Sequence, residues 1–207
     1  LFILFSAYHF GEQHWEEVLS NLSLPIQKFF FFCYGLLILF LVFFFNVEEV
    51  IKIIYEITSL ELNNIYASEV TQILFVILFV ITGQAVYKKQ IAIKSVLREL
   101  FSLLVFAIIF NSSSLIWGFT IYFIFWHSIP SLLDQIKFIY GDLKKKSVLK
   151  YIKAALPYWL VSLVGIAVLF LIFKDEKHFH SLFFAFIAAV TFPHAIVMLR
   201  MFSMKRT

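Results

Sequence analysis

The chain has 207 residues, 62% of them hydrophobic and only 14% charged, and its mean hydropathy is +0.92. Such a composition excludes an ordinary water-soluble domain and fits a protein dissolved in lipid. The formal charge of +4 gives no case for nucleic-acid binding, because the Lys and Arg residues sit in short segments beside apolar runs and serve topology. The first apolar stretch ends near Phe10. A bilayer-spanning helix needs about 20 residues, so this stretch is expected to be the tail of a helix whose N-terminal part is missing. A signal peptide fits poorly, since neither a basic start nor a small-residue cleavage site is present. Further apolar runs cover 29–45, 73–87, 100–110, 115–126, 156–173 and 182–199. The third and fourth are short for full spans and are joined by Asn111-Ser112-Ser113-Ser114, which reads as the tip of a helical hairpin. The expected fold is therefore all-α: one polytopic transmembrane bundle over 1–207, with about six spans plus the tail of the truncated helix.

Loop charges set the expected orientation. Lys88, Lys89, Lys94 and Arg98 follow the second full run; Lys137, Lys144, Lys145, Lys146, Lys150 and Lys153 follow the fourth; Arg200, Lys205 and Arg206 close the chain. By the positive-inside rule these segments face the cytoplasm. The opposite connections carry Glu48, Glu49, Glu56, Glu61 and Glu69, the Asn/Ser turn, and the mixed segment from Lys174 to Lys177. A multi-pass protein of the cell's inner (cytoplasmic) membrane follows. The lone Cys33 lies in an apolar run and reads as a small packing residue. Phe contributes 28 residues, which serve either as lipid-facing filler or as the wall of a pocket for a long apolar molecule.

Three histidines stand at the ends of apolar runs and share one leaflet: His9 in Ser6-Ala7-Tyr8-His9-Phe10-Gly11, His127 in Phe125-Trp126-His127-Ser128, and His194 in Thr191-Phe192-Pro193-His194. An intramembrane imidazole is costly unless paired and points to function. Neutral imidazole suits iron, zinc and copper, so three convergent ones predict a metal site. A single histidine of this kind is more often structural; the shared depth of three shifts the balance. His14 lies five residues from His9, about 140° around a helix, and is not expected to share its metal. Glu12 shares the His9 face and is expected to orient an imidazole; Asp134 and Gln135, beyond His127, are candidates for the same role or for a solvated face. Pro193 is expected to kink the last helix beside His194. His178 and His180 flank a charged outer turn and should be solvated on the opposite side.

No Lys lies in the middle of a run, which excludes the Schiff-base linkage of a rhodopsin-like photoreceptor. A transporter using the histidines as proton or ion relays is the competing class; against it, no acidic residue falls within a run and no paired broken helices are evident. A scaffold with incidental histidines is a third reading. Stoichiometric iron would separate the first class from the other two.

At these motifs, together with Phe125-Trp126-His127-Ser128-Ile129-Pro130-Ser131 and Asp134-Gln135, the chain resembles the Brp/Blh family of membrane β-carotene 15,15'-dioxygenases over nearly its whole length. The resemblance implies Fe(2+) held by His9, His127 and His194, with β-carotene and O₂ as substrates, two molecules of retinal as product, and a functional link to a rhodopsin. It also implies that Tyr8, Phe10, Trp126 and Phe192 contact the substrate. An elongated apolar cavity should then run from the histidines toward lipid. Two departures stand out. Family members usually carry an earlier histidine in a His-Gly-x-x-Asp motif, upstream of where this chain begins. Some place a second histidine one turn after the His127 position, where this chain has Ser131, a poor iron ligand that suits a supporting hydrogen bond. The chain as given is thus one ligand short of the family's set.

Overall fold

The computed structural model describes residues 2–173 and, beyond them, Phe186, Ala189, Thr191, Pro193, His194, 196–198, Arg200 and Met201. Among these residues it is all-helical. The helices are α1 (Phe2–Trp15), α2 (Leu24–Phe45), α3 (Val47–Thr58), α4 (Ala67–Tyr87), α5 (Ile93–Asn111), α6 (Leu115–Tyr122), α7 (Ile129–Tyr140) and α8 (Lys145–Phe173), with a π-helical turn at Phe123–Ser128 joining α6 to α7. Among the described residues four stretches are long and apolar enough to cross a membrane: Leu24–Phe45, Ala67–Tyr87, Leu115–Tyr140 and Lys145–Phe173. The expected run at 182–199 lies largely outside the described residues, as do His178 and His180. α5 carries Lys94, Arg98 and Glu99 in its first two turns, which lowers its hydropathy below that of the four.

The centre of the bundle is α2. Pro25 starts it, where a missing amide hydrogen costs nothing, and its sequence is apolar on all sides, as a helix surrounded by others requires. α1 lies against it, and α4, α5 and α6 also pack on it. The α1–α2 crossing depends on two glycines. A Cβ at Gly11 would overlap the Phe31 carbonyl oxygen, and one at Gly35 would overlap the Ala7 carbonyl oxygen. Ala7 and Gly11 are four residues apart on one face of α1. Such small-residue spacing lets two backbones touch in lipid, where no hydrophobic force draws helices together.

Two sequence expectations need correction here. α1 does not end at Phe10 but continues to Trp15, so His9 lies inside a helix. His127 likewise lies inside the continuous helical stretch Leu115–Tyr140. The acidic connection after α2 contains α3, which places Val50, Ile53 and Ile54 on the core and Glu48, Glu49 and Lys52 away from it. Its Glu49 carboxylate accepts the Leu115 amide at 3.0 Å, supplying one of the partners that the first turn of α6 lacks. At the other extreme, α8 has no buried residue along its 29 positions.

Candidate metal centre

The local sequence explains how His127 is presented. Pro130 has no amide hydrogen, and its ring crowds the carbonyl four residues earlier, that of Trp126. The chain responds by widening: the Ile129 amide reaches back five residues to the Ile124 carbonyl. Single π turns of this kind often occur at functional sites, because the extra residue re-aims one side chain. Here the turn spans Phe123–Ser128 and buries His127.

Against that turn stand His9 from α1 and His194 from the last described helical residues. The His9 and His127 ring centroids are 4.9 Å apart and nearly perpendicular at 85°. His194 completes the set at 5.7 Å from His9 and 6.2 Å from His127. One nitrogen of each ring lies within 4.8 Å of those of the other two. His9 is 1% exposed and His127 2%, and His194 is half-buried.

The chemistry of these nitrogens argues for a ligand. Both nitrogens of His9 and the Nδ1 of His127 are buried with no hydrogen-bond partner among the described residues. Leaving a buried polar atom unpaired costs about 1–3 kcal/mol, so three such atoms in one place call for a partner beyond the described residues. A first-row metal ion sits about 2 Å from an imidazole nitrogen, so nitrogens sharing one ion are at most about 4 Å apart. From a separation of 4.8 Å, small rotations of the three rings suffice. The donor set therefore fits one metal ion.

The remaining sequence candidates distribute unevenly. Phe10 lies against the trio, 4.7 Å from the His127 ring. Tyr8 instead packs edge-on to Phe31 of α2 at 6.1 Å, and Trp126 packs edge-on to Phe106 of α5 at 5.0 Å. Phe192 lies outside the described residues. Glu12 is buried at 3% exposure. Ser131 is buried one turn beyond His127, with its Oγ 3.6 Å from the Met198 sulfur and 3.5 Å from Gln135 Nε2, which donates to it. Asp134 is half-buried, one turn beyond Pro130 and two beyond Trp126 on the same helical stretch.

Gln13, Tyr34 and Glu99, which are not among those candidates, also belong to this region. Gln13 donates from Nε2 to the His127 carbonyl at 2.9 Å. Glu99 is 5% exposed and accepts three bonds: from Tyr34 at 3.0 Å, from His14 Nδ1 at 3.0 Å and from Arg98 Nε at 3.2 Å. Because a carboxylate only accepts, the His14 proton sits on Nδ1. Glu99 stands one residue before the apolar run that begins at Leu100 and inside α5, which begins at Ile93 and is not one of the four stretches able to span a membrane. The signal available for Gln13 was its position four residues after His9, on the same helical face.

The expected elongated cavity leading from the histidines is not the apolar groove between α2, α4 and α5. Phe10 and Phe123 rings fill the space beside His127, the latter at 4.8 Å. That groove has a volume of about 240 Å³, and Tyr34, Phe79, Gly83 and Glu99 contribute to its lining. None of the three histidines borders it, and its volume is below the ~300–1,000 Å³ of sites for drug-sized ligands.

A helical membrane protein with a cluster of three imidazoles, two of them buried, is the class that fold and site define. The sequence profile of the beta-carotene 15,15'-dioxygenase family matches residues 1–202, and the chain belongs to that family. No curated protein and no solved structure matches it. Membership supports a carotene-dioxygenase type of function and β-carotene as the substrate class.

Proposed function

We propose that the full-length protein is an iron-dependent dioxygenase that cleaves the central double bond of β-carotene with O₂, giving two molecules of retinal. The observation that carries this reading is the convergence of His9, His127 and His194, whose nitrogens lie within 4.8 Å of one another in a chain of this family. Iron(II) suits imidazole ligands and, when bound, supplies the activation of O₂. The chain's own residues do the rest. α1 and the π turn hold two imidazoles at fixed angle inside the bundle, while Phe10 and Phe123 pack on His127 and exclude water from it. The apolar helices admit a C40 polyene laterally from lipid, where it is already dissolved.

Expression of the full-length protein in β-carotene-producing cells is expected to bleach the pigment and accumulate retinal. His9→Ala, His127→Ala and His194→Ala should each lower iron content and product together, with residual activity small, because a lost ligand also loses the geometry that keeps positions open for O₂. Undiminished retinal from the His9 and His127 variants refutes the assignment. Bleaching that yields only apocarotenals longer than retinal retains the oxygenase and rejects central cleavage.

A further inference from the structure

Gln13 stands apart among the polar groups on α1. It is the fourth residue after His9, so both side chains leave the same face of the helix one turn apart. Its amide nitrogen donates to the backbone carbonyl of His127 at 2.9 Å, across 114 positions of sequence. That carbonyl belongs to the π turn Phe123–Ser128, a wide turn imposed by Pro130 and weaker in its internal bonding than a regular helix. One helix therefore supplies an imidazole of the trio and, one turn later, a strut to the backbone that carries a second imidazole.

We propose that Gln13 is a positioning residue that fixes His127 relative to His9 by bracing the π turn. The proposal rests on the reading of the trio as a metal site. The physical ground is that metal ligands must be held within about half an ångström of their productive places. His127 Nδ1 has no hydrogen-bond partner among the described residues, so neighbouring bonds to that ring nitrogen do not set its aim. Backbone placement must do so instead. A regular α-helical turn would rotate His127 away from its present direction, and the Gln13 amide bonds the turn in its widened form.

The test uses the full-length protein in detergent with Co(II) as a spectroscopic probe of the site. Gln13→Met keeps length and volume but removes the donor. It should weaken Co(II) binding by about tenfold to a hundredfold, the usual cost of losing a partner that orients a ligand, and shift the ligand-field bands. Asn21→Leu is the control: it removes a similar side-chain-to-carbonyl bond, Asn21 to Gln90 at 3.2 Å, away from the trio, and should leave Co(II) affinity unchanged at a comparable melting temperature. Pro130→Ala, which permits a regular turn, should also weaken Co(II) binding. Combined with Gln13→Met, it should cost less than the sum of the two in log affinity, because both act through one turn. Wild-type affinity and spectrum in Gln13→Met overturn the proposal, as does strict additivity with Pro130→Ala. Absence of Co(II) and Fe(II) binding by the wild type overturns the metal reading itself and this inference with it.

Discussion

His9 and His14 lie five residues apart on the same helix and meet burial in opposite ways. His14 gives its Nδ1 proton to Glu99, which also takes the hydroxyl of Tyr34 and the guanidinium of Arg98. His9 has no hydrogen-bond partner at either nitrogen among the described residues, and two further imidazole rings stand 4.9 and 5.7 Å from its own. The first arrangement largely satisfies itself, with Nε2 of His14 the one ring atom left over. The second finds no such acceptor among the described residues. Two buried histidines thus differ in role because of what faces them, which neither composition nor depth in the membrane distinguishes.

The comparison is broken most severely from the Glu99 side. Glu99→Leu leaves Tyr34 and His14 without their common acceptor, and loss of one member of a buried charged network typically costs about 3–5 kcal/mol. The unfolding free energy of the purified protein should fall by about 3 kcal/mol, with Tyr34→Phe losing roughly half as much. Metal bound per folded molecule should stay the same, since no member of this network belongs to the trio. A Glu99→Leu protein that folds normally but loses its metal would show that the two imidazole sites are one.

The opposite change sharpens the contrast. In protein stripped of metal, His9→Leu replaces two unpaired buried nitrogens by an apolar side chain of similar reach. Such a change is neutral or stabilising by about 1 kcal/mol, while metal binding and retinal formation are lost. Stability given up for function in this way is common at active sites. A metal-free His9→Leu variant destabilised by several kcal/mol would mean that His9 has partners within the protein, and the distinction from His14 would collapse.

These two sites also mark what the sequence discloses. The trio was legible because each histidine interrupts an apolar run, and because the loop charges, read by the positive-inside rule, assign all three to one side. The helical class was legible for the same reason: lipid permits little else. The Glu99 network was not, since the apolar run starts one residue later and α5 begins six residues earlier, where packing on α2 rather than hydropathy extends the helix. α3 was hidden within an acidic stretch whose apolar residues recur at helical spacing, a period masked when charge alone is tallied. Gln13 escaped because its partner is a backbone carbonyl exposed by a π turn, and that turn follows from Pro130 only when the helix is known to run through it. Gly11 and Gly35 were visible as residues, yet their meaning depends on which helices touch.

Asp142 gives a third setting for a polar group, in water, and the smallest effect. Its Oδ1 accepts the Ser147 hydroxyl at 2.6 Å and the Lys144 amide at 3.1 Å, bracing the turn that leads into α8. These bonds, the Ser147 one foremost, hold its carboxyl below the usual carboxylate range. With the folded value lowered, the stabilisation is fully present above the unfolded range near ~4 and is lost as pH falls through the folded value. Its side chain is 39% exposed, so water and salt screen it and the effect is slight. Asp142→Asn should therefore lower the melting temperature slightly at pH 7, and the gap to wild type should close as the pH falls well below 4. A gap of equal size at both pH values would mean that the turn depends on the shape of the side chain and not on its charge. Glu99, sealed within the bundle, has no such protection by solvent, which is why the same type of side chain carries so much more there.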